Sequence, residues 1–203
     1  MAKQSRKIGV VLVIVCCILS NASFAQDNSR EELAQRLVDA AWERTSHRVI
    51  YDGGYRKIAY PLGDVPDNVG VCTDVIIRAY RKLQIDLQRL VHEDMAANFD
   101  LYPKFWGLTK PDRNIDHRRV PNLQTFFRRH GEELSATLSN SDYLPGDIVT
   151  WMLPGNLPHI GIVADRFVND GERPLIIHNV GRGPVAEDFL FEHPITGHFR
   201  YGR

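Results

Sequence analysis

Apolar and polar positions alternate with two different periods along this chain, and the period changes near its middle. In "NSREELAQRLVDAAWERT", Leu33, Leu37, Val38 and Ala41 fall on one stripe, and Ser29 stands three residues before Glu32, a capping-box spacing. That pattern predicts an amphipathic helix. "HRVIYD" reads as a short strand, and "YPLGDVPDNVG", punctuated by Pro61, Gly63, Pro66 and Gly70, reads as a loop. From Cys72 onward Val75, Ile76, Ala79, Tyr80 and Leu83 recur at helical spacing, with Arg78, Arg81 and Lys82 on the wet side. A further helix is expected in "LQRLVHEDMAANF". Another is expected in "NLQTFFRRHG", where Asn122 is the cap after Pro121 and Gly131 the stop.

After "LSNSDYLPG" the period shortens to two. "DIVTWML", "HIGIVAD", "PLIIHNV", "PVAEDFLF" and "GHFRY" read as strands separated by Gly, Pro, Asn and Asp. Helices first and an antiparallel sheet afterwards make an α+β domain. With 203 residues, 43% hydrophobic and 25% charged, the chain is long enough for one domain with a real core.

The N-terminus changes the cysteine count. "MAKQSRK" carries Lys3, Arg6 and Lys7 without an acid, and is followed by the apolar run "IGVVLVIVCCIL" and the small residues of "SNASFAQ". This is the layout of a secretory signal over residues 1–25, cut after Ala25, with 26–203 as the mature domain. Its apolar run is short of the roughly 20 residues a spanning helix needs, so the mature chain is expected to be exported and not stably inserted in a membrane. Removing it takes away three positive charges and leaves a mature chain of net negative charge, which argues against nucleic acid as a partner. It also removes Cys16 and Cys17. Cys72 is left alone, with no disulfide partner and no cysteine cluster for a metal.

A lone thiol in an oxidising compartment is a liability unless it is buried or used. Cys72 opens a helix, where the partial positive charge of the N-terminus favours the thiolate. A thiolate nucleophile needs an imidazole to move its proton and a third group to orient that imidazole. His159 starts one strand and His178 ends the next, and hairpin geometry about the "NDGE" turn places them opposite or nearly so. Each residue alone is more often structural; the combination points to catalysis.

These segments resemble the NlpC-type cysteine peptidases, papain-like bacterial cell-wall hydrolases. "VCTDVIIRAYRKLQIDL" is similar to their catalytic helix, "YLPGDIVTWMLPGNLPHIGIVAD" to the strand pair bearing the base, and "IIHNVGRGPVAEDFL" to the strand bearing the third catalytic group. The resemblance implies a papain-like fold in which Cys72 is the nucleophile, His159 the base and His178 the orienting residue. Asn179 is the alternative for the last role, and Tyr60 a tyrosine near the oxyanion. It implies a peptide or amide bond of peptidoglycan as substrate, a periplasmic or extracellular setting, and no metal or organic cofactor. Two features depart from the family pattern: Thr73-Asp74 in place of Ser-Gly, and an insert over residues 90–129. Together they are similar to an exported bacterial subfamily known as domain of unknown function 1287.

Asp116, His117 and Arg118 in the insert read first as a solvated charged loop; the sharper expectation is a substrate-binding edge, with Asp74 and Trp151 as further candidate contacts. Trp151 is otherwise a core residue. Acyl transfer or thioester chemistry on lipid substrates, and a non-catalytic envelope-binding module, are the alternative functions. Oligomeric state is left open by the sequence.

Overall fold

The computed structural model describes residues 29–168 and 171–202; the expected signal segment, 1–25, lies outside the described residues. The first helix, α1, covers residues 29–44. Two short strands, β1 (Ile50–Tyr51) and β2 (Val69–Gly70), then pair in parallel and deliver the chain to α2 (Cys72–Lys82). Helices α3 (Leu87–Ala97) and α4 (Val120–His130) follow, separated by short 3₁₀ turns. The rest is sheet: β3 (Glu132–Leu134), β4 (Ile148–Leu153), β5 (Leu157–Phe167), β6 (Pro174–His178), β7 (Val185–Glu187) and β8 (Ile195–Arg200). The strand order is β3-β8-β4-β5-β6-β7, antiparallel throughout. The α+β architecture is the one the change of period predicts.

Strand parity divides the core into two layers. Ile148, Ile160, Ile162 and Ile177 face the helices and pack with Leu37, Ile76, Tyr80, Leu123 and Phe127. Val149, Trp151, Val163 and Ile176 face the other way and are covered by Tyr143, Phe189 and Leu190. Residues 188–191 therefore do not extend β7; they fold back over the sheet.

One local reading changes. Helix α4 is capped by Arg119, not Asn122, and Pro121 sits in its first turn, where a missing N–H costs nothing. Asn122 lies inside the helix and donates its side-chain N–H to the Asp116 carbonyl at 3.1 Å. Asp147, from the Pro-Gly-Asp turn, is a fully buried carboxylate that accepts from Leu144 N–H, from His198 at 2.8 Å and from Arg200 at 2.7 and 2.9 Å. It ties the start of β4 to β8.

Candidate active site

Cys72 is the first residue of α2, with Val71 as the cap in extended conformation. Cys72 is 5% exposed, and α2 packs against β5. The backbone N–H groups of Ile160 and Thr73 and the Tyr51 hydroxyl are the nearby groups that favour the thiolate form of Cys72. Burial nonetheless pushes the thiol pKa up to about 11, the Ile160 N–H pulls it back in part, and the Asp74 charge adds to the rise. The expected thiolate is thus a thiol at rest, because desolvation outweighs the helix terminus. Labelling of Cys72 with iodoacetamide is expected to rise about tenfold per pH unit through the neutral range. It should level off only near pH 11. A plateau already reached below about pH 8 would mean that a thiolate is present at rest.

His159 and His178 stand on the layer of the sheet away from the helices, against Trp151 and Phe189. They do not face each other directly. Ile162 pairs with Ile177 and Val163 with Ile176, a register that puts Gly161, not His159, across from His178. The offset is two residues, so both rings stay on one face and meet as diagonal neighbours. Gly161 leaves the necessary room: a Cβ there would lie 2.6 Å from Ile176 Cγ2 and 3.2 Å from His178 Cβ.

Across this gap His159 Nε2 and His178 Nδ1 are hydrogen-bonded at 2.8 Å. His178 Nε2 continues to Glu187 Oε1 at 3.0 Å, and the other oxygen of Glu187 is paired with Arg182. Burial lowers the His159 pKa to about 3, with His178 and His193 adding to the effect. Burial, then the Arg182 charge, lowers that of His178 to about 4. Both imidazoles are neutral at neutral pH. The Nδ1 of His159 has no hydrogen-bond partner among the described residues and is the nitrogen free to take a proton.

Trp151 is fully buried, donates its indole N–H to the Leu190 carbonyl at 2.9 Å, and is a core residue. Asn179 does not orient His159. Its Oδ1 accepts from Gly181 N–H at 3.0 Å and Gly183 N–H at 3.2 Å, which shapes the loop carrying Arg182, and its buried Nδ2 has no partner among the described residues. Tyr60 packs edge-on against His92, with Arg113 over its ring. The hydroxyl beside the thiol belongs to Tyr51, whose own pKa is raised by burial and by the facing Cys72. Nothing in "HRVIYD" distinguishes it; only the parallel pairing of β1 with β2, two residues before the cysteine, brings it there.

The expected substrate edge is interior. Asp74 is 3% exposed and bidentate with Arg118, at 2.9 and 2.8 Å, and its carboxylate also takes the Val71 N–H at 2.6 Å. Thr73 Oγ1 donates to the Arg118 carbonyl at 3.1 Å. Asp116 and His117 are 1% and 2% exposed. Burial raises the Asp116 pKa to about 6 against the pull of the Asp112 N–H, and burial with the Arg118 charge lowers His117 to about 3. These residues are not a solvated loop; they form the joint between the insert and α2. Among the described residues no group of three or more His, Cys, Asp or Glu is placed to hold a metal ion.

A family model described as "Domain of unknown function (DUF1287)" matches residues 38–201. The chain is 52% identical over 165 residues to "Uncharacterized protein YijF" of Escherichia coli strain K12, covering 81% of this chain and 80% of that protein. Among solved structures it is similar to one titled "Structure of NlpC1 from Trichomonas vaginalis", with a TM-score of 0.43 and 19% identity. That similarity covers 83% of this chain and 44% of the other, so the chain spans less than half the length of that structure.

Proposed function

The chain belongs to the DUF1287 family, and from that premise we propose that it is an exported cysteine hydrolase cleaving an amide bond in the peptide stems of peptidoglycan. Cys72 is the nucleophile, His159 the base and His178 the residue that holds the base. The observation that carries this reading is the 2.8 Å bond between His159 Nε2 and His178 Nδ1 on the strand whose next residue, Ile160, presents its backbone N–H near the Cys72 thiol.

The resting site holds a neutral thiol and a neutral imidazole in a dry environment, where neither charge is stable alone. Proton transfer and attack therefore occur together. As Sγ bonds to the substrate carbonyl carbon, its proton moves to His159 Nδ1, which makes no hydrogen bond to the thiol in the resting site, and the imidazolium that forms returns the proton to the leaving amine. The Tyr51 hydroxyl and the Cys72 N–H at the head of α2 are the donors near the developing oxyanion. Water then attacks the acyl-enzyme with His159 again as base.

Purified peptidoglycan fragments incubated with the protein are expected to lose intact stem peptides by mass analysis, and with Cys72→Ala to keep them. An unchanged profile with the wild-type protein removes the cell-wall assignment.

A further inference from the structure

The arrangement beyond His178 goes one step past a nucleophile, a base and an orienting residue. We infer that Glu187, braced by Arg182, is a positioning residue that fixes which nitrogen carries the proton in both imidazoles and so leaves His159 Nδ1 as a lone pair. The inference rests on the reading of His159 as base for its catalytic meaning, but the proton positions stand on the geometry alone.

Glu187 is ion-paired to Arg182, and a carboxylate can only accept a hydrogen bond. His178 Nε2, 3.0 Å from Glu187 Oε1, must therefore be the protonated nitrogen. Buried and neutral, His178 has one ring proton to give, so its Nδ1 is a lone pair. His159 Nε2, 2.8 Å from that lone pair, must in turn carry the His159 proton. Its Nδ1 is left bare. Each ring's state is set by the hydrogen bond made by the next group, and only the last group in the row is ionic.

The row is also built to hold its shape. Glu187 ends β7 and is paired in register with Ile176, while His178 pairs with Val185, so sheet hydrogen bonding fixes the distance between ring and carboxylate. Arg182 sits in a loop closed by Asn179 Oδ1 on the N–H groups of Gly181 and Gly183, which have φ of 125° and 94°. Asn179 thus serves the row at its far end, through Arg182, and not at the imidazole. Phe189 packs on both rings, at 5.5 Å from His159 and 4.2 Å from His178, and keeps water from competing for the nitrogens.

Nitrogen-15 NMR of the imidazoles in the full chain at neutral pH tests this without a substrate. Both His159 and His178 are expected to be neutral with the proton on Nε2. In the double variant Glu187→Lys with Arg182→Glu, which keeps an ion pair but offers His178 a donor, both rings are expected to turn over to the Nδ1–H form. In Glu187→Gln, whose side-chain oxygen can still accept, they are expected to stay as in the wild type. A wild-type His178 found as Nδ1–H or as imidazolium overturns the inference, as do rings that ignore the double variant. Where turnover of peptidoglycan fragments is measured, the double variant is expected to lower kcat on the order of 10³- to 10⁴-fold with KM unchanged. A loss confined to KM or to melting temperature would mean a merely structural role. If the wild-type protein leaves peptidoglycan untouched, the ring states still answer, so the two readings fail separately.

Discussion

Replacing Arg118 with methionine is expected to destabilise the protein by about 3–5 kcal/mol, because it leaves the Asp74 carboxylate buried without its counter-charge. Both side chains are 3% exposed, and the pair is held by two parallel hydrogen bonds of 2.9 and 2.8 Å. Arg118 also donates to the carbonyls of Asp52, at 3.2 Å, and Gly54, at 3.5 Å, so the loop after β1 loses its tie as well. Chemical denaturation reads the effect. Substituting Asp74→Leu together with Arg118→Met should recover much of the loss, since a buried pair replaced by apolar groups of similar volume is often near neutral. A single Arg118→Met variant within about 1 kcal/mol of wild type would refute the account, that being the scale of an exposed pair.

The second large effect concerns chemistry. Cys72→Ala, His159→Ala and the variant carrying both are expected to fall to one common floor, about 10⁴-fold or more below wild type in kcat on peptidoglycan fragments. Groups that act in one proton transfer do not contribute independently. If the double variant were slower than either single one by the product of their effects, the two residues would be acting separately. If His159→Ala kept most of the rate, the base would lie elsewhere.

Much of this site was readable because of parity. Hairpin geometry places His159 and His178 opposite or nearly so; the register sets them two residues apart, and an offset of two leaves both rings on the same face. An offset of one would have separated them. The start of α2 at Cys72 was equally legible, since the apolar stripe begins there and the preceding residues are turn formers.

The failures share a different cause: each depended on a partner distant in sequence. "DHRR" is a charge run by local criteria, but the carboxylate that takes Arg118 inward is 44 residues earlier. The thiol lies at a helix N-terminus, which predicts a lowered pKa, but its burial against β5 is a tertiary fact and the larger effect. Tyr51, Tyr55 and Tyr60 look alike in sequence. Tyr55 bonds to Asp112 and Asn114, Tyr60 packs edge-on against His92, and of the three only Tyr51 lies beside the cysteine. The two departures from the NlpC pattern also prove to be one. Thr73 and Asp74 both bind Arg118, one at its carbonyl and one at its guanidinium, so the residues after the cysteine and the insert are two halves of a single contact.

The turn between β4 and β5 holds three residues, 154–156, and two of them, Gly155 and Asn156, have φ of 81° and 58°. It fixes Trp151 across from His159 and Thr150 across from Ile160. Because neighbouring residues on a strand serve opposite layers, this turn acts as a reading frame. One residue added or removed there would send His159 toward the helices and Ile160 outward, silencing the site without altering any of its residues.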